Sequence, residues 1–198
     1  MGCSLASGDA PKLRRGLVPV RGGLYGIGTS VPARERRFAS RYRGRMATEI
    51  EIAPISSGEF EELLPLIAAY QRFYKVEDID EARNRAFFRR FLAPSEDGLL
   101  LGARREGRLL GYACLYWHFS SLEAVESVLM NDLYVSEEAR GEGAGRALIE
   151  ATAEIARERG VPFVEWSTAP DNHTAQRLYD STGAERSEWF SYELRVDG

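Results

Sequence analysis

The stretch from residue 132 to residue 148 contains a glycine-rich turn that could hold a phosphate group. Glycine occupies three of the five positions from 141 to 145, after an apolar run and before an amphipathic helical pattern. In such a turn, successive backbone N–H groups can point into one concavity at the positive end of the helix. Arg140 and Arg146 flank the turn and can add charge-assisted hydrogen bonds. The pattern predicts a diphosphate site; the alternative is that the glycines serve only the geometry of a strand-to-helix turn.

The same turn carries a spaced signature. Arg140, Gly143 and Gly145 fit the pattern Q/R-x-x-G-x-G/A, whereas the sequence has neither a dinucleotide-binding glycine pattern nor the Gly-Lys-Ser/Thr of a P-loop. A second set of residues follows downstream: Val164, Glu165, Trp166, Asn172, Ala175, Leu178, Tyr179, Gly183 and Ala184. Together the two sets resemble the GNAT superfamily of N-acetyltransferases, and a weaker resemblance extends back to Thr48.

This resemblance implies a fold, a co-substrate and a set of binding residues. The fold is α/β, a GNAT-like mixed and mostly antiparallel sheet flanked by helices, with a V-shaped splay between the two central strands. The co-substrate is acetyl-CoA. Backbone groups of Leu133, Tyr134 and Val135 are expected to pair with its pantetheine arm, and Asn172 is expected to hydrogen-bond it. The residues expected to hold its pyrophosphate are Arg140, Gly141, Glu142, Gly143, Ala144, Gly145 and Arg146.

Acetyl transfer to nitrogen needs an acid for the departing thiolate and a base for the amine. The resemblance places the hydroxyl of Tyr179 near the sulfur, as the general acid. Asp132 and Glu165 are the candidates for the base, and the alternation of side chains along a strand leaves open which of them points inward. Cys114 lies in an apolar strand pattern and is interpreted as a small core residue. The amine is therefore expected to attack directly in a ternary complex.

The acceptor is interpreted as a primary amine of a small molecule, polyamine-like or otherwise cationic. The chain resembles the diamine type of the family, but Asn131 and Asp132 stand where those enzymes typically have Glu-Asp. Aromatic residues that could form an acceptor wall are Tyr70, Phe73, Tyr74, Trp117 and Phe119. A protein N-terminus or lysine is the alternative acceptor. A CoA-binding module without catalytic activity is the alternative function.

Charge is divided unevenly along the 198 residues. Residues 1–45 hold ten Lys/Arg against two Asp/Glu, a net charge of +8, whereas residues 46–198 carry −12. We expect residues 1–45 to be a disordered basic leader, either a targeting segment or a mis-assigned start that precedes Met46. Residues 46–198 are expected to form the N-acetyltransferase domain, whose negative charge would attract a cationic acceptor.

The remaining composition excludes several classes of protein. Two cysteines and two histidines, without metal-ligand spacing, predict neither a disulfide framework nor a metal site. No apolar run reaches the ~18 residues of a membrane span, and no secretory signal is present. We therefore expect a cytoplasmic protein without membrane or nucleic-acid partners, and the family resemblance suggests a homodimer.

Hydrophobic periodicity predicts the elements that must position these residues. Ile50, Ile52 and Ile55 predict a first strand, and Ser57 is the predicted N-cap of a helix. The apolar face of that helix comprises Phe60, Leu63, Leu64 and Ile67. The further predicted elements are a helix at 80–91, strands at 99–103 and 109–117 joined by a turn at 105–107, a strand at 125–135, a helix at 144–159, a strand at 162–168, a helix at 174–182 and a strand at 188–196.

Overall fold

A computed structural model describes residues 50–189 and 191–196. The predicted leader, residues 1–45, lies outside the described residues. The described chain forms one mixed sheet of five strands, in the order β1-β2-β3-β4-β5. The strands are β1 Glu51–Pro54, β2 Gly98–Arg105, β3 Arg108–Ser120, β4 Val125–Val135 and β5 Val164–Glu165. The first three pairings are antiparallel and the last, β4 with β5, is parallel. The predicted mixed, mostly antiparallel sheet is confirmed.

Helices cover both faces of this sheet. They are α1 Phe60–Phe73, α2 Glu81–Phe88, α3 Ala144–Arg159 and α4 His173–Asp180, with 3-10 turns at Arg89–Phe91 and Glu137–Ala139. On one face, α1 buries the predicted stripe of Phe60, Leu63, Leu64 and Ile67 against the sheet. Cys114 is fully buried in the same cluster, as the sequence predicts.

The opposite face of the sheet holds α3. Leu148, Ala151 and Ile155 lie on one side of this helix and pack into a cluster with strand residues that include Leu115 and Val128. Because α3 is amphipathic, burying this stripe fixes the helix on the sheet. The position of its N-terminal end, where the glycine-rich turn lies, follows from this packing.

A β-bulge interrupts the pairing of β3 with β4. Cys114 lies opposite Asp132 and Leu115 lies opposite Met130, so Asn131 has no partner across the ladder. Before the bulge, Met130 belongs to the cluster under α3, whereas after it Leu133 packs there. The extra residue therefore reverses which alternate side chains face each helix layer. As a result Asp132 faces the α1 side, near Cys114.

Three predictions about local structure were wrong. The N-cap of α1 is Glu59 and not Ser57, and the Glu59 carboxylate accepts hydrogen bonds from the amide and hydroxyl of Ser56. The strand predicted at 162–168 is only two residues long, since its pairing with β4 ends at Glu165. Residues 188–189 and 191–196 form no strand. Their alternating apolar side chains are exposed, and local alternation yields a strand only where a neighbouring edge supplies hydrogen bonds. The helix predicted at 174–182 runs instead over His173–Asp180.

Within the described residues, no helix combines the length and apolar character needed to cross a lipid bilayer.

Leu148→Ala tests whether the packing of α3 holds the site. Leu148 is fully buried, so we expect this cavity-forming change to lower the free energy of unfolding by about 2–5 kcal/mol in urea denaturation. Glu150→Ala, on the exposed side of the same helix, is the control and should change it by less than about 0.5 kcal/mol. Equal effects of the two variants would contradict the assigned packing.

Candidate functional site

The turn between β4 and α3 leaves the start of α3 without a side-chain cap. Gly143 is the N-cap residue, and no side chain hydrogen-bonds the first turn. Gly141 and Gly143 have φ angles of 82° and 93°, which other residues rarely adopt. The helical ladder begins with the bond from the Ala147 amide to the Gly143 carbonyl, 3.0 Å long. The amides of the preceding turn are therefore available to an anion, at the positive end of a 16-residue helix.

Three charged side chains surround this helix end. Arg140 is exposed, forms an ion pair with Glu137 at 3.3 Å, and lies 6.0 Å from the ring centre of Phe73. Arg146 donates to the carbonyl and hydroxyl oxygens of Ser181, just after α4. Glu142 is paired with Arg105 of β2. Both predicted arginines thus lie at the helix end, on opposite sides of the glycines.

Helix α4 packs close to α3 at Gly145. A Cβ atom at this position would lie 3.0 Å from Cδ2 of Leu178, so the helices approach each other because glycine has no side chain. Asn172 is the N-cap of α4, and its carboxamide oxygen accepts a hydrogen bond from the Ala175 amide at 3.2 Å. A cap also fixes the orientation of the Asn172 side chain.

Tyr179, one turn before the end of α4, is half-buried. Its ring meets that of Trp166 edge to face, with centroids 5.5 Å apart. Burial raises the pKa of the Tyr179 hydroxyl to about 12, with a smaller contribution from Tyr74. The hydroxyl therefore keeps its proton at neutral pH.

Asp132 is a buried carboxylate, with 6% of its surface exposed. Burial raises its pKa to about 6, and hydrogen bonds from Asn131 and Tyr70 oppose this rise. The Asn131 carboxamide donates to the carboxylate over 3.0 Å. A carboxyl group with this pKa can exchange a proton near neutral pH.

A pocket of about 340 Å³ opens beside Asp132. Its lining comes from the C-terminal part of α1 and the turn after it, from β4, and from the segment after β5: Tyr70, Gln71, Tyr74, Val76, Asn131 and residues 167–169. Two of the five aromatic residues proposed for an acceptor wall, Tyr70 and Tyr74, thus line the pocket. Phe73, Trp117 and Phe119 do not: Phe119 is 71% exposed, and Arg159 lies 3.8 Å from the ring centre of Trp117.

Tyr70 connects the two sides of this pocket. Its pKa is raised well above the ordinary value by burial and then by the charge of Asp132, with smaller contributions from Tyr74 and Tyr179. Its ring also meets that of Tyr74 edge to face at 5.0 Å. Asp132 and Tyr179, which are 47 residues apart in the chain, are thus both close enough to Tyr70 to affect its ionisation.

Glu165, the other candidate base, has different neighbours. It accepts a hydrogen bond from the hydroxyl of Ser127 at 3.1 Å, and it lies 3.0 Å from Nδ1 of His118. These two partners come from β4 and β3, at the part of the sheet where β4 and β5 pair. The described residues contain no group of three or more His, Cys, Asp or Glu side chains that could hold a metal ion.

The partnership of Tyr70 with Asp132 was not predicted from the sequence. Tyr70 follows Leu63 and Ile67 at helical spacing, and a hydroxyl on an apolar helix face was the available signal. Thr168 was predicted only as the end of a strand, and nothing in its spacing indicated that it lines a pocket.

Comparison with known proteins assigns this architecture to a class. Residues 63–184 match the model of the Acetyltransferase (GNAT) family, and the chain belongs to this family. It is an acyl-CoA-dependent N-acetyltransferase, and the family uses acetyl-CoA. The resemblance drawn from the glycine-rich turn is therefore confirmed.

Relatives and solved structures support the same assignment. D-amino-acid N-acetyltransferase HPA3 of Saccharomyces cerevisiae is 41% identical over 112 residues, which are 56% of this chain and 69% of that protein. The uncharacterized N-acetyltransferase YhfO of Bacillus subtilis is 30% identical over 142 residues, 71% of this chain and 93% of that protein. The structure of the aminoglycoside N-acetyltransferase AAC(6')-Iy in complex with CoA shares the fold, with a TM-score of 0.66 at 16% identity over 74% of this chain and 95% of that chain.

The pKa of Asp132 predicts how stability depends on pH. Its folded-state pKa, about 6, lies above the unfolded value, so the stabilisation by the proton is complete below about pH 4 and is lost as pH rises through 6. At pH 8 the Asp132→Asn variant should therefore unfold with a free energy up to ~3 kcal/mol higher than the wild type, and the difference should shrink toward pH 4. Chemical denaturation at several pH values measures this. A variant that is less stable at pH 8 would contradict the burial of a charged carboxylate.

Proposed function

We propose that this enzyme transfers the acetyl group of acetyl-CoA to the primary amine of a small molecule, by direct attack in a ternary complex. The observation that carries the proposal is the buried carboxylate of Asp132 beside a pocket of small-molecule size, about 340 Å³. The similarity to HPA3, whose name specifies D-amino acids, supports a small-molecule acceptor. The acidic surface of residues 46–198 supports a cationic one, of which polyamine-like amines are an example.

We place the diphosphate of the co-substrate at residues 140–146. The uncapped amides of the first turn of α3 fit an anion, and Arg140 and Arg146 add positive charge on either side of them. The pantetheine arm would pair with the backbone of Leu133, Tyr134 and Val135. This is supported by the pairing of β4 with β5, which ends at Leu129 and leaves the later part of β4 without a neighbour on that edge. A V-shaped splay at this point would admit the arm.

Tyr179 is proposed as the general acid. When the amine nitrogen attacks the thioester carbonyl and the carbon–sulfur bond breaks, the electron pair left on sulfur takes the proton of the Tyr179 hydroxyl. A pKa of about 12 keeps that proton in place until the thiolate forms. Asn172, the cap of α4, is proposed to contact the co-substrate from the same helix end.

Asp132 is proposed as the base, with Glu165 as the alternative. Asp132 adjoins the pocket through its hydrogen-bond partners Asn131 and Tyr70, which both line it. The ammonium group of the acceptor would lose its proton to Asp132, directly or through a water molecule. Glu165 is held by His118 and Ser127, neither of which lines the pocket.

The proposal is tested by following thiol release from acetyl-CoA with the purified chain. We expect release with small primary amines and none with peptides that offer an N-terminus or a lysine. Release with peptides alone would favour a protein acceptor. CoA binding without release from any amine or peptide would favour a module without catalytic activity.

Tyr179→Phe tests the proposed acid. We expect kcat to fall by ~10²-fold, the scale of one acid catalyst, because the thiolate must leave without a proton donor. The KM for acetyl-CoA should change little. Tyr192→Phe, at a tyrosine that is 93% exposed, is the matched control and should leave kcat unchanged. Unaltered turnover in Tyr179→Phe would assign this hydroxyl a structural role.

The pH dependence of kcat tests the proposed base. Asp132 must be ionised to accept a proton, so kcat should fall as pH decreases through about 6. Asp132→Asn should lower kcat by ~10²-fold and abolish that acidic limb. Glu165→Gln, measured beside it, should retain the limb; loss of the limb in the Glu165 variant alone would transfer the role of base to Glu165.

A further inference from the structure

The lining of the pocket beside Asp132 is polar but uncharged in the part of the chain that the structure describes. Tyrosine, glutamine, asparagine, serine and threonine side chains contribute to it, and no Lys, Arg, Asp or Glu does. The nearest ionisable carboxyl is Asp132, which hydrogen-bonds two of the lining residues. The pocket therefore supplies one negative charge, for the reacting amine, and neutral hydrogen-bonding groups elsewhere.

The hydroxyl of Thr168 has no hydrogen-bond partner within the described residues, although its oxygen is buried. Thr168 lines the pocket, just after β5. A buried hydroxyl without a partner is unfavourable, and a ligand that supplies the missing hydrogen bond gains from it. The neutral part of an acceptor, an amide or a hydroxyl, would satisfy this oxygen.

The acidic residues next to the pocket are engaged by the protein itself. Asp78 forms an ion pair with Arg83 at 3.0 Å, and the carboxylate of Asp80 caps α2 through the Arg83 amide. A second ammonium group on the acceptor would find no free partner in the lining. A carboxylate on the acceptor would find no cation there and would be repelled by the ionised Asp132.

We propose that the acceptor is a primary amine whose remaining polar group is uncharged, such as an amino-acid amide or an amino alcohol, and that Thr168 determines this specificity. The inference rests on the proposed function and narrows it from cationic amines in general to monocations with a neutral hydrogen-bonding group. Free amino acids and diamines are expected to be poor acceptors.

Four acceptors built on one carbon skeleton test this proposal. They are leucinamide, leucine, 4-methylpentane-1,2-diamine and 4-methylpentan-2-amine, whose variable groups are an amide, a carboxylate, an ammonium and a methyl. Each is assayed as both enantiomers by thiol release from acetyl-CoA, and kcat/KM is expressed per neutral amine. We expect leucinamide to exceed each of the other three by ~10-fold or more, the discrimination that one satisfied hydrogen bond provides.

Two variants of Thr168 identify the residue responsible. Thr168→Val keeps the shape and removes the hydroxyl, so kcat/KM for leucinamide should fall ~10-fold while that for 4-methylpentan-2-amine stays the same. Thr168→Ser should retain the preference. An equal loss for both amines in Thr168→Val would show a structural role only, and a preference for leucine or the diamine would overturn the proposal. Absence of thiol release from all four and from a wider set of amines would instead overturn the proposed function, and this inference with it.

Discussion

The packing of α3 on the sheet determines where the positive end of this helix lies. Leu148, Ala151 and Ile155 are buried against the strands, so the helix cannot rotate or slide without exposing apolar surface. Its N-terminal turn is uncapped and follows a loop in which Gly141 and Gly143 take left-handed conformations. Leaving backbone amides without protein partners is unfavourable unless water or a ligand satisfies them. An anion site at this point thus follows from the same burial that stabilises the fold.

Strand β4 connects this anion site to the acceptor pocket. The bulge at Asn131 lets one strand present apolar side chains to α3 on both sides of the bulge, while Asp132 turns toward α1. Without the extra residue, Asp132 would keep the alternation of Val128 and Met130 and would face the other layer. Tyr70 completes the arrangement, because α1 carries its hydroxyl to the carboxylate. The reactivity proposed for Asp132 therefore depends on an irregularity of the backbone as much as on the residue itself.

Long periodic segments were predictable from the sequence, whereas features that depend on pairing were not. The strand at 125–135 and the helix at 144–159 have the predicted bounds, because each buries one regular stripe over many residues. The strand predicted at 188–196 is absent from the described residues there, since alternation such as Tyr192, Leu194 and Val196 specifies a strand only when an edge accepts it. The glycine-rich turn indicated the family because its signature is local. The bulge, the Tyr70 contact and the pocket position of Thr168 could not be predicted, because each results from elements distant in the chain meeting in space.

A crystal structure of the complex with CoA tests the central claim most directly. The account predicts diphosphate oxygens within about 3 Å of backbone amide nitrogens in the turn from Gly141 to Arg146, at the start of α3. A diphosphate held elsewhere on the protein, or bound at this turn by arginine side chains alone, would contradict the claim that uncapped helix amides form the site.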